Sequence, residues 1–257
     1  MSCATDPIFW QRQRRLPLPM TRFLRALLEE ALREPSQRGL LVWPTILGAP
    51  RLRKLHPEGI PETELLAQSR RMLEAFGVQD PALAFREALQ CHPQIATQGP
   101  TGWLPDATWE ALASELSLRS GVMLVALTGQ PEDERYRLSC GVALFNMALF
   151  HECHDALEAL WLGASGDLKE GLQGLILMSA GFYHQQHHDA AGMLALWRDG
   201  LPMLERFGPR LETPWGTVDF RDSLTTALSR LDWLMSEDDG VNLEKLWGMP
   251  RPEWSLT

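Results

Sequence analysis

Tyrosine occurs only twice in this 257-residue chain, and valine, isoleucine and threonine are sparse. That scarcity argues against a protein built mainly of strands. Cysteine is scarce too: Cys3, Cys91, Cys140 and Cys153 are far apart and form no Cys-x-x-Cys pair, which leaves no disulfide framework or zinc knuckle and predicts reduced thiols, Cys153 simply buried. No segment has the roughly 18 uninterrupted apolar residues of a membrane span, and the opening "MSCATDPIFWQRQRRLPLPM" lacks the apolar core of a signal peptide. The expectation is a cytoplasmic protein with no membrane partner. Repeats and low-complexity tracts are also missing.

Positive charge is the other shortage. The net charge is −9, and residues 131–257 hold 10 basic against 20 acidic groups, a balance of −10, while residues 1–130 hold 14 against 13. No nucleic-acid partner is expected for so acidic a second half. Arg12, Arg14, Arg15, Arg22 and Arg25 are read as a solvated helix face.

What is abundant is leucine and alanine, with 45% of residues hydrophobic, enough for one large or two medium domains. Composition predicts an all-α fold. In "MTRFLRALLEEALRE" (20–34), Phe23, Leu24, Leu27, Leu28 and Ala31 make one apolar stripe of a surface helix. "GLLVWPTILGAP", broken by Pro44, is either a buried connection or a short strand. "PETELLAQSRRMLEAFGV" (61–78) is a helix with Pro61 near its start and Gly77 near its end. Helices follow near 80–91 and 105–127. The turn-like "TGQPEDE" (128–134) marks a boundary between a mainly helical region, 1–130, and a second domain, 131–257.

The second domain is expected to be a bundle of stacked antiparallel helical hairpins. "EDERYRLSCGVALF" is one helix, Asn146 to Ala148 a tight turn, and 149–162 a second helix closed by "GASGD". Asp167 and Glu170 resemble a capping box at the start of a third helix that runs through "LKEGLQGLILMSAGFYHQQH". Helices near 190–207 and 217–236 are joined by the loop "GPRLETPWG". If the middle hairpin closes around residue 165, residues whose numbers sum to about 330 lie level, so His151 faces Ser179 and His184 stands about 7–8 Å along the axis from His151.

Five of the seven histidines fall between 151 and 188. On a helix with His151 at zero, Asp155 lies near 40°, Glu158 near −20° and His154 near −60°, all on one face, with Glu152 at its edge near 100°. Two imidazoles with carboxylates suit zinc, iron or manganese and can equally supply a general base. The spacing excludes a His-Glu-x-x-His zincin site, paired Glu-x-x-His di-iron motifs and Cys-x-x-Cys-His haem attachment. His184 is expected to face the same interior, and His187 and His188 to sit at a helix end. The competing reading is a structural polar network that fixes helix packing.

"YRLSCGVALFNMALFHECHDALEALW" followed by "LQGLILMSAGFYH" resembles the helical family called domain of unknown function 309, over about residues 131–235. Phe145, Asn146, Glu152, His154, Asp155, Glu158, Trp161, Gln173, Gly174, Tyr183 and His184 match its pattern. Ala148 stands where the pattern has glycine, so a looser turn is expected there, and His151 replaces an aromatic residue. The resemblance implies an all-α hairpin bundle, and the family has carried the label metal-dependent hydrolase.

Two functions follow as expectations. One is a divalent-metal site of a hydrolase, with His154, Asp155, His184 and His151 as ligand candidates and Glu158 and Glu152 as catalytic candidates acting on a small-molecule substrate. The other is a non-catalytic scaffold that holds a protein partner in grooves between helices. A homo-oligomer is compatible with either.

Overall fold

A computed structural model describes residues 14–57, 60–76, 111–236 and 252–257. The fold is predominantly α-helical with one small antiparallel sheet. It divides into two compact units, one of Leu16–Gly129 and one built on Gln130–Thr257.

In the first unit, α1 (Leu18–Arg33) turns Leu24, Leu27, Leu28 and Ala31 inward together with Met20 and Leu32, while Phe23 of the expected stripe is only half-buried. The ambiguous apolar stretch is no strand but a buried connection that is itself helical. It forms a 3-10 turn (Pro35–Leu41) that runs into α2 (Val42–Leu47). Pro44 is tolerated because it lies in the first turn of α2, where a backbone N–H has no intrahelical acceptor to lose. Then come α3 (Pro50–Leu55), α4 (Glu62–Ala75) and α5 (Ala113–Leu127). Pro61 caps α4 as expected. Gly77, the helix placed at 80–91 and the start of the one placed at 105–127 lie outside the described residues. Helices α2 and α5 meet closely: a Cβ on Gly48 would stand 1.9 Å from the carbonyl oxygen of Ala113, and the Ser117 hydroxyl donates to the Thr45 carbonyl at 2.6 Å.

The second unit stacks α6 (Tyr136–Asn146), α7 (Phe150–Gly163), α8 (Gly166–Gln186) and α9 (Ala190–Glu205), followed by β1 (Arg210–Thr213), β2 (Gly216–Asp219), α10 (Arg221–Ser236) and β3 (Ser255–Leu256). The expected loop "GPRLETPWG" is thus mostly a hairpin, β1 pairing with β2 in the register Leu211↔Val218, and β3 adds to the far edge of β2. Pro and Gly there serve the two-residue turn between strands, with Gly216 at φ +128°, a backbone state open to glycine. The capping box at Asp167 and Glu170 does not form. Ser165 is the cap residue, with no side-chain hydrogen bond, and both carboxylates instead meet Arg206, the residue that follows α9.

The α6–α7 turn is tight despite Ala148. Ala148 takes φ +57°, and the turn closes with Leu149 N–H on the Leu144 carbonyl and Ala148 N–H on that of Phe145, a Schellman motif with alanine in the usual glycine position. Gln186 of α8 donates to the Ala148 carbonyl at 2.9 Å and holds the turn in place. The level register of α7 and α8 also holds, since the Ser179 hydroxyl donates to the Phe150 carbonyl at 2.7 Å. Phe145, Phe150, Phe182 and Trp197 form a buried aromatic chain through this end of the unit, with successive ring centroids 5.0–5.4 Å apart; such edge-on and tilted contacts add to what area burial alone contributes.

Candidate functional site

Helix α7 has two different sides. Cys153, Ala156 and Leu157 are fully buried. Burial pushes the Cys153 thiol up to about 12, opposed by a hydrogen bond with Ser179, so this cysteine is a core residue and a poor nucleophile. Neither Cys140 nor Cys153 is in a disulfide.

The polar side carries His151, His154, Asp155 and Glu158. Helical spacing brings them together, because i, i+3 and i+4 positions share a face. Nδ1 of His151 lies 3.3 Å from one oxygen of Asp155, and Nδ1 of His154 lies 3.3 Å from the other. The carboxylate between them is 1% exposed, whereas the imidazoles are 28% and 32% exposed. His154, Asp155 and Glu158 each offer a ligand atom within 4.8 Å of the other two. His151 extends the patch in the other direction, its ring 5.2 Å from that of Tyr183, which in turn lies 4.5 Å from His187.

Glu152 and His184 go elsewhere. Glu152 is buried and does not join the three-residue group. His184 turns to the α8–α9 corner, where its Nδ1 pairs with Asp189 Oδ2 at 2.8 Å. The other oxygen of Asp189 accepts from the Gly192 backbone N–H at 2.9 Å, capping α9. That backbone donor, followed by the imidazole, holds the Asp189 carboxyl below the usual carboxylate range. The ring sits so close to α9 that a Cβ on Gly192 would fall 2.2 Å from His184 Nδ1. Asp189 was missed at the level of sequence, although an aspartate just before "AAGMLALW" is a cap signal; nothing in the sequence signals its link to His184. His188 ends α8 with φ +56° and is exposed, and His187 is half-buried beside it.

This geometry can hold a cation or orient a proton carrier. A half-open set of one imidazole and two carboxylates matches the donor chemistry of zinc, iron and manganese. Donors bound at about 2.1 Å in a tetrahedron stand roughly 3.4 Å apart, so side-chain rotation has to close separations of up to 4.8 Å by at most about 1.4 Å. Asp155, buried and in hydrogen-bond contact with His154, is the fixed member.

The α6–α9 segment has a counterpart among known families. Residues 138–196 match the family model described as Domain of unknown function (DUF309). The match runs from α6 into the first half of α9 and contains every side chain of the α7 patch together with His184 and Asp189. The sheet, α10 and the whole first unit lie outside the DUF309 match. No curated protein and no solved structure matches the chain. Among the described residues, no helix is long and apolar enough to cross a membrane.

Proposed function

We propose that the DUF309-like stretch carries a divalent-cation site on α7, with His154, Asp155 and Glu158 as its protein ligands, in a domain that spans the second unit. The observation that carries this reading is the convergence of three ligand atoms within 4.8 Å on the half-open side of one helix. In this arrangement Asp155 is the anchor, His151 orients it from outside the group, and Glu158, half-buried at the rim, is the member that adjusts. An ion with three protein ligands retains open positions and acts as a Lewis acid toward a carbonyl or phosphoryl oxygen, which makes hydrolysis of a small molecule the reaction class. His184, held by Asp189, and buried Glu152 are left out of the ligand set.

The test is direct metal analysis and calorimetric titration with Zn²⁺ and Mn²⁺ on protein purified without a histidine tag. Wild type should bind about one equivalent, and His154→Ala and Glu158→Gln should each weaken binding by about tenfold or more. Less than about a tenth of an equivalent bound, with no uptake on titration, rules the site out.

One observation favours a second reading. Asp155 is almost fully buried and its Oδ1 is in hydrogen-bond contact with His154 Nδ1 at 3.3 Å, the kind of contact by which a structural polar network holds a buried carboxylate. In that case the unit is a helical scaffold, and the patch holds α7 in place without a ligand.

A further inference from the structure

Away from the α7 patch, residues 252–257 lie in the second unit much as a bound peptide lies on a receptor. The Asn146 side chain reads the backbone of Trp254 from both ends: its Nδ2 donates to the Trp254 carbonyl at 2.8 Å, and its Oδ1 accepts from the Trp254 N–H at 2.8 Å. The indole is 3% exposed and stacks on Phe145 with centroids 3.9 Å apart and planes within 10°. Beyond it the segment adds to the edge of β2, Ser255 opposite Asp219 and Leu256 opposite Val218, and Thr217 and Thr257 exchange backbone hydrogen bonds at 2.9 and 3.1 Å.

These are the elements of strand addition: main-chain hydrogen bonds supply affinity and one side-chain pocket supplies selectivity. Two features show that the segment fits its groove incompletely. Trp254 Nε1 is buried with no acceptor among the described residues, a cost that a fully optimised core contact avoids. A cavity of about 500 Å³ remains beside the indole, lined by Arg135, Val142, Ala143, Trp215 and Leu256 among others, within the size range of ligand pockets.

We propose that Phe145, Asn146 and the β2 edge form a docking site for an extended peptide anchored by a tryptophan, occupied here by the chain's own residues 252–257. The main-chain reading by Asn146 and β2 is indifferent to most of the ligand's side chains, so the tryptophan sets the register. A peptide with a further large side chain next to the anchor fills the cavity that the resident segment leaves open.

The experiment uses the full chain and a fluorescein-labelled peptide, Pro-Glu-Trp-Ser-Leu-Thr, blocked at both ends. Trp254→Ala removes the resident anchor and leaves Asn146 and Phe145 intact. The peptide should bind this variant at least about tenfold more tightly than wild type, and adding Asn146→Ala should abolish the gain. A folded Trp254→Ala protein that shows no anisotropy change up to about 1 mM protein, or binding equal in all three proteins, overturns the proposal. A second measurement covers a variant that does not fold. In wild type, the Thr217 and Thr257 amides should exchange with deuterium at least about tenfold faster than core amides of α8, because the segment opens locally. Exchange as slow as the α8 core makes it a permanent part of the fold and overturns the proposal.

Discussion

The seam between α8 and α9 and the polar face of α7 belong to the same stack of helices, yet they use opposite materials. Along the seam glycines stand where a leucine side chain or an aromatic ring of the facing helix comes too close for a Cβ. A Cβ on Gly181 would lie 1.9 Å from Nε1 of Trp197, one on Gly174 2.7 Å from Leu204, and one on Gly200 2.6 Å from Leu177. Trp197, fully buried, donates from that nitrogen to the Met178 carbonyl at 3.2 Å, so its ring cannot swing aside without leaving a buried donor unsatisfied. On α7, by contrast, two imidazoles are about a third exposed and Glu158 is half-buried. Shape dictates residue identity at the seam. It dictates little on the open face, so a concentration of imidazole and carboxylate there calls for a chemical explanation.

The largest expected effect lies at the seam. Gly181→Ala should destabilise the protein by about 2–3 kcal/mol, because even a methyl group overpacks a site whose neighbour is held by a hydrogen bond. Gly163, at the end of α7, supplies the control, since a Cβ placed there would meet nothing within 4 Å. Gly163→Ala should change stability by less than about 1 kcal/mol, in the stabilising direction. Urea melts of both variants measure the contrast. A Gly181→Ala protein as stable as Gly163→Ala would show that the seam is far more compliant than its contacts imply.

The polar face gives a smaller and more graded response. Asp155→Asn should cost about 1–3 kcal/mol with chelator present, since the buried carboxylate loses its match to the imidazoles on either side. Glu158→Gln, at the half-buried rim, should be neutral or slightly stabilising under the same conditions, because two crowded carboxylates without a ligand repel one another. A loss above about 1 kcal/mol in this variant would decide for the structural network over the cation site.

The same contrast explains what could be foreseen from the chain alone. Periodicity was enough for the helices of the second unit and for the shared face of His151, His154, Asp155 and Glu158, because these depend on spacing within one element. Contacts between elements were not legible. The hairpin at "GPRLETPWG" has strands of only four residues each, and β3, which adds to it, has two, too short for periodicity to show. Asp167 and Glu170 carried the spacing of a capping box, but Arg206, some 36 residues after Glu170, won them. His184 was placed with the α7 face by its stripe, while the group that holds it lies past the end of its own helix.

That last contact gives the smallest effect and a defined pH signature. Asp189→Asn keeps a competent cap on α9, since asparagine accepts from the N3 amide about as well as aspartate, and removes only the negative charge facing His184. The expected cost is about 0.5 kcal/mol at neutral pH, small because the Asp189 side chain is 40% exposed and solvent screens the pair. The sign follows from the direction of the shift. The Asp189 carboxyl is held below its ordinary value by the Gly192 amide and then by His184, so its extra stabilisation is fully present above the unfolded value of about 3.9 and disappears as pH falls through the lower folded value. Urea melts of wild type and Asp189→Asn from about pH 6 downward should therefore show a gap that is full at neutral pH and narrows as pH falls below about 3.9. A gap that persists in acid would mean that asparagine disturbs the cap itself, and the pairing with His184 would then not be what distinguishes the two side chains.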